Sequence, residues 1–89
     1  MEYKIFIKKS ILKNLKKIPL GIKQKFEILV KILRESGPTG PCNWNNYSKL
    51  SKNKYHCHLS YHYVACWEYK KETLIIEVYY VGSREKAPY

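Results

Sequence analysis

The sequence predicts an α+β domain in which two N-terminal helices pack on one face of a mainly antiparallel sheet of four to five strands. After one short strand, the first half of the chain spaces its apolar residues as helices do. The second half contains only strand-like segments separated by polar turns. The expected order is therefore β-α-α-β-β-β-β, and 89 residues make one domain spanning residues 1–89.

The first half begins with an alternating segment, Tyr3 to Ile7, which predicts a strand. Ser10 is the expected N-cap of a short helix. A longer helix follows Pro19 and should end at Ser36-Gly37-Pro38, a strong stop signal. The apolar positions of the two helices are Ile11, Leu12, Leu15 and Ile18, then Ile22, Phe26, Ile28, Leu29, Val30, Ile32 and Leu33.

The second half divides into four predicted strands. The first two are Tyr47 to Ser51 and Lys54 to Leu59, which follow a loop rich in Pro, Gly and Asn. The last two, Tyr63 to Tyr69 and Thr73 to Val81, are apolar and aromatic, and the polar turn 70–72 should join them as a hairpin.

The charge of the chain is strongly unbalanced. The net charge is +10, the isoelectric point is near 9.6, and Asp is absent. This predicts an acidic partner such as nucleic acid or an acidic protein segment, and it excludes a Ser-His-Asp triad. No apolar run approaches the roughly 20 residues of a membrane span, and no signal peptide is visible. Three cysteines without a CxxC spacing favour free thiols and a cytoplasmic location.

Two histidines, His56 and His58, are the first candidates for chemistry. In a strand they share one face, while Tyr55, Cys57 and Leu59 point to the other. Histidine exchanges protons near neutral pH, so the pair suits acid–base cleavage of a phosphodiester. Zinc binding with Cys66 and a passive, partly buried role are the alternatives. No carboxylate or CxxC accompanies the pair, so we predict neither a metal nor a cofactor.

The second candidate is the tail. Arg84 follows the last strand in a chain that otherwise uses lysine almost throughout, and guanidinium binds phosphate in a bidentate way that ammonium cannot. A surface pair with Glu85 is the alternative. Tyr89 could stack on a base or simply fray. The expected RNA-binding residues are Lys49, Lys52, Lys54, Lys86 and Tyr47, with Trp44 and Tyr61 as further stacking platforms.

The whole chain resembles the RelE/ParE superfamily of toxins from bacterial type II toxin–antitoxin systems. The order of elements matches that fold, and three segments carry the likeness. They are the first helix with the break after it (10–19), the hairpin Tyr55-His56-Cys57-His58-Leu59 with Tyr63-Val64-Ala65-Cys66-Trp67, and the tail from Tyr80 to Tyr89.

The resemblance implies a RelE-like messenger RNA endoribonuclease that inhibits translation at the ribosome and is silenced by a cognate antitoxin with an acidic or amphipathic segment. His56 and His58 match strand positions where relatives place basic catalytic side chains. Arg84 and Tyr89 match a phosphate-stabilising arginine and a C-terminal tyrosine. One departure is Val64, at a position where relatives often have arginine.

Two other functions remain open from the sequence. A ParE-like inhibitor of DNA gyrase would need no proton-transfer pair, so the two histidines count against it. A non-catalytic RNA-binding module would rely on lysines and aromatic stacking, and its binding would fall steeply with salt.

Overall fold

The computed structural model describes residues 2–89 and confirms the α+β prediction. The elements are β1 (Lys4–Ile7), α1 (Lys9–Leu15), α2 (Leu20–Ser36), β2 (Ser48–Lys49), β3 (Lys54–His58), β4 (Tyr63–Lys70), β5 (Ile75–Ser83) and a 3-10 helix (Arg84–Lys86). Within residues 2–89, no helix is both long and apolar enough to cross a membrane.

The five strands form one sheet in the order β1-β5-β4-β3-β2. The β1–β5 pair is parallel, with Lys4 opposite Ile75, and the other three pairs are antiparallel. The last strand of the chain is therefore flanked by β1 on one side and β4 on the other. A bulge interrupts β4–β5, because Cys66 is opposite Tyr80 whereas Trp67 is opposite Val78, which leaves Tyr79 as the extra residue.

Both helices cover the same face of the sheet. Leu29 and Leu33 of α2 are fully buried against the sheet residues Trp67, Ile76 and Val78. Tyr55 stacks on Trp67 with ring centroids 6.1 Å apart. Burial of this apolar surface is the main source of stability in so small a domain.

Several predicted details are wrong. Ser10 is not the N-cap of α1: the helix begins at Lys9, two residues earlier than a Ser10 cap implies, and its N-cap residue is Lys8, which makes no side-chain hydrogen bond. Leu12 and Ile28, both assigned to apolar stripes, are 49% and 54% exposed. The last strand starts two residues later than expected, since Thr73 belongs to the turn, where its hydroxyl donates to the carbonyl of Lys70.

Candidate functional site: the histidine cleft

The face of the sheet that the helices leave uncovered carries the histidines. His56 is opposite Cys66 on β4 and opposite Ser48 on β2, so these three side chains form one row across the sheet. His58 is opposite Val64 in the next row. Tyr55, Cys57 and Leu59 are buried in the helix-side core, as the alternation predicted.

The C-terminal segment brings Arg84 and Tyr89 to this face. The hydroxyl of Ser83 accepts a hydrogen bond from the Glu85 amide and caps the 3-10 helix, while the Arg84 amide donates to the His62 carbonyl. The Tyr89 ring then lies 4.4 Å, centroid to centroid, from the His56 ring.

Together these elements form one open concavity of about 580 Å³, which we call the histidine cleft. The structure thus brings all four predicted catalytic side chains to one place. The cleft is lined by Asn46, Tyr47, Ser48, His56, His58, Arg84 and Tyr89.

Each histidine has one ring nitrogen engaged. Ser48 Oγ lies 2.9 Å from Nδ1 of His56, and Asn46 Nδ2 lies 3.3 Å from Nδ1 of His58. These contacts orient the rings and leave the Nε2 atoms without a hydrogen bond to a described residue. The two ring centroids are 5.9 Å apart, which leaves them separate but close enough to act on one phosphodiester.

The electrostatics of the cleft favour neutral imidazoles. Burial lowers the pKa of His56, and the neighbouring His58 lowers it further, against the opposing effect of Ser48. Burial and then the positive charge of Arg84 lower the pKa of His58. Burial raises the pKa of Tyr89, so that its phenol is protonated at neutral pH and can donate a proton.

Arg84 is held in position by an aromatic ring. Its guanidinium carbon lies 4.7 Å from the centroid of the Tyr61 ring, and Tyr61 packs edge-on against His62. The Tyr61 ring therefore covers one face of the guanidinium, and Arg84 also lines the cleft. Within residues 2–89, the side chains of Arg84 and Glu85 form no hydrogen bond or salt bridge. The alternative role of Arg84, a surface ion pair with Glu85, is therefore not supported.

The predicted RNA-binding residues are more scattered. Lys54 shares the face of His56, and its Nζ lies 5.6 Å from the Tyr79 ring; Lys52 is exposed in the preceding turn. Lys49 is on the opposite face, with its Nζ 5.9 Å from the Tyr55 ring.

The last two predicted RNA-binding residues are Lys86 and Tyr47. Lys86 lines a separate concavity of about 370 Å³ beside α1. Tyr47 borders the cleft while it packs on Tyr55 and Trp67, so it serves the core as well.

The remaining candidates for chemistry are occupied or inert. Within residues 2–89, no three His, Cys or acidic side chains are grouped closely enough to hold a metal ion. Burial raises the pKa of both Cys57 and Cys66 to about 12, so neither thiol is a nucleophile at neutral pH. Glu68 and Glu77 both pair with Lys70, at 3.1 and 3.3 Å.

Two cleft residues were missed by the sequence analysis. Ser48 reaches His56 because the β2–β3 register places it directly opposite, and no periodicity reveals that register. Asn46 has a φ of 54°, a left-handed conformation that asparagine tolerates better than most residues. An asparagine just before a short strand was the only signal for that turn.

Comparison with solved structures identifies the fold. The chain superposes on archaeal RelE from a RelE–RelB complex of Pyrococcus horikoshii with a TM-score of 0.76 and 20% identity, covering 98% of this chain and 100% of that one. It superposes on a mutant of the E. coli toxin RelE in the free state with a TM-score of 0.75 and 20% identity, covering 98% and 88%. Comparison of the sequence with protein-family models and with curated proteins finds no match. The expected RelE-like architecture is confirmed: this chain has the fold of the RelE toxins.

Proposed function

We propose that this protein is the toxin of a type II toxin–antitoxin pair and that it cuts messenger RNA on the ribosome by acid–base catalysis. The observation that carries the proposal is the convergence of His56, His58, Arg84 and Tyr89 on one open cleft. The net charge of +10 supports an RNA substrate, and the fold shared with RelE toxins supports the biological role.

The chemistry begins with removal of a proton from the RNA 2′-hydroxyl. Either histidine can be the base, because burial disfavours the charged form of both rings; the base is the ring whose Nε2 carries the lone pair and not the proton. The 2′-oxygen attacks the adjacent phosphorus and the bond from phosphorus to the 5′-oxygen breaks. The products are a 2′,3′-cyclic phosphate and a free 5′-hydroxyl.

The leaving 5′-oxygen needs a proton, and two groups are placed to give it. The Tyr89 phenol is protonated, and it lies against His56, which can donate when it is an imidazolium. Arg84 stabilises the extra negative charge on the five-coordinate phosphate. These side chains account for both proton transfers and for the phosphate charge without a metal ion.

Two partners follow from the proposal. A cognate antitoxin would present an acidic or amphipathic segment to this lysine-rich chain, as RelB accompanies RelE in the archaeal complex. The ribosome would present messenger RNA to the cleft, and Lys52 and Lys54 are the lysines on or near its face that could hold the backbone. We therefore propose a cytoplasmic location.

The test is cleavage by the purified protein with and without ribosomes, followed by mapping of messenger RNA ends. The wild type should produce ribosome-dependent cuts that end in cyclic phosphates. A His56→Ala, His58→Ala double variant should lose them. The matched control is His62→Ala, the third histidine, which lies outside the cleft.

Three outcomes separate the candidate functions. Loss of cuts in the double variant alone supports the proposal. A double variant that cleaves as the wild type does refutes the catalytic pair. Growth arrest on expression with supercoiling defects and no cuts would instead indicate a gyrase inhibitor. The absence of both cuts and supercoiling defects would indicate a non-catalytic RNA-binding module.

A further inference from the structure

His58 borders more than the histidine cleft. On its other side lies a separate concavity of about 340 Å³ between α2 and the loop that precedes β2. We call it the tryptophan pocket; its lining residues are Lys25, Ile28, Asn43, Trp44, Asn45, His58 and Leu59. A further concavity of about 240 Å³, beside Asn45, Asn46 and Tyr61, also reaches His58. A strand of RNA that crosses His58 would therefore meet a second concave surface.

The lining of the tryptophan pocket has the chemistry of a nucleotide site. The half-buried indole of Trp44 offers an aromatic surface, and Ile28, although apolar, is 54% exposed at its edge. Asn43 and Asn45 supply amide donors and acceptors, and Lys25 supplies a cation on the exposed side of α2. An aromatic surface, edge-recognising amides and a cation are what proteins use to hold one unpaired base with its phosphate.

Hydrogen bonds fix the loop that forms one wall of the pocket. The His58 amide donates to the Asn45 carbonyl at 2.8 Å, which fixes the loop to the end of β3. The Trp44 amide donates to the Pro41 carbonyl at 3.0 Å, and the indole of Trp67 donates to the Pro38 carbonyl at 3.0 Å. Because the loop is already ordered, little conformational entropy is lost when a ligand binds.

We propose that the tryptophan pocket is a second nucleotide subsite. It binds one unpaired nucleotide next to the cleaved bond, with the base stacked on Trp44 and the phosphate held by Lys25. The subsite rests on the proposed function, since it shares His58 with the cleft. It extends that site from one phosphodiester to the nucleotide that flanks it, and the amides of Asn43 and Asn45 would set a base preference there.

The two tryptophans make the subsite directly observable. Trp67 is fully buried, so a ligand that enters from solvent can quench only Trp44. The probe is a labelled single-stranded trinucleotide with 2′-deoxy sugars, which cannot undergo attack by a 2′-hydroxyl. Titration of the free protein should quench part of the tryptophan emission in a saturable way, while the anisotropy of the label reports binding independently.

Variants separate stacking from charge. Trp44→Ala should weaken binding roughly 5- to 150-fold, the range for loss of one stacked base, and Trp44→Phe should restore most of it. Lys25→Ala should weaken binding of every trinucleotide sequence. It should also reduce the slope of log K against log salt concentration by about one, as expected for the loss of one phosphate contact. Lys31→Ala, on the same helix but outside the pocket, is the matched control. The emission of Trp67 reports whether each variant is folded.

The outcomes distinguish this subsite from the proposed function. Trp44 emission that stays unchanged at millimolar trinucleotide overturns the subsite, even if the protein cleaves messenger RNA through its histidines. Binding that responds equally to Lys25→Ala and Lys31→Ala also overturns it. Specific quenching without any messenger RNA cleavage would establish the subsite and reject the nuclease.

Discussion

The ring of Tyr89 covers the ring of His56 at 4.4 Å, so the end of the described chain closes one side of the histidine cleft. The same tyrosine is 54% exposed, which leaves its hydroxyl within reach of a substrate. This contact links the C-terminal tail to the protonation state of His56. Two variants of Tyr89 separate the role of its hydroxyl from the role of its ring.

Tyr89→Phe keeps the ring over His56 but removes the only proton that the side chain can donate. If Tyr89 protonates the leaving oxygen, single-turnover cleavage should fall about 10²- to 10⁴-fold. If His56 is the acid, the rate should stay near the wild-type value. Tyr89→Ala should in addition expose His56 and raise its pKa towards 6.5, which a histidine NMR titration would measure.

Arg84 should matter through the geometry of its guanidinium as well as through its charge. Arg84→Ala should lower the cleavage rate about 10²- to 10³-fold, the usual cost of one charge-stabilising donor. Its loss should also raise the pKa of His58. Arg84→Lys should keep the pKa of His58 low yet remain slow, because an ammonium group lacks the planar fork. Arg34→Ala, which changes the other arginine of the chain, should leave both readouts unchanged.

The stability of the fold should depend on the protonation of His56. Its pKa is lowered in the folded state, so below about pH 6.5 the unfolded chain binds more protons than the folded one. The free energy of unfolding should therefore fall as the pH drops from 6.5 through the folded-state pKa, and this contribution should be fully present above pH 6.5. Urea unfolding at pH 7.5 and 5.5 would show it. His56→Gln, which does not titrate, should reduce the difference between the two conditions.

Val64 should not tolerate the arginine that relatives often carry at the matching position. The side chain is fully buried and faces the same side of the sheet as His58. Val64→Arg would bury a charge without a described acidic partner, at a cost of about 3–5 kcal/mol in the free energy of unfolding. Val64→Ala, which leaves only a small cavity, should cost less in the same denaturation experiment. A stable Val64→Arg protein with faster cleavage would show instead that this position reaches the substrate.

The sequence predicted the architecture because apolar periodicity reports directly on which face of each element is buried. Phe26, Leu29 and Leu33 follow helical spacing, and all three are in the core. It failed at the start of α1, where backbone geometry at Lys8 begins the helix without the capping side chain that Ser10 was expected to provide. When no side chain caps the first turn, the sequence does not show at which residue the helix begins.

Strand alternation predicted only the part of the site that one element carries, and the resemblance alone joined Arg84 and Tyr89 to the histidines. His56 and His58 share a strand, so their common face followed from alternation alone. Ser48 and Lys49 depend on how β2 pairs with β3, and a shift of one residue exchanges their faces. That register places Ser48 beside His56 and sends Lys49 to the helix side, which local sequence could not reveal.

The position of β5 between β1 and β4 has a consequence for how the protein is made. β1 leaves the ribosome early, but its parallel partner begins with Ile75, so β1 must wait for nearly the whole chain before it can pair. The strand that completes the sheet also leads into Arg84 and Tyr89. Such long-range pairing forms late. A nascent chain therefore cannot assemble the histidine cleft before β5 has emerged.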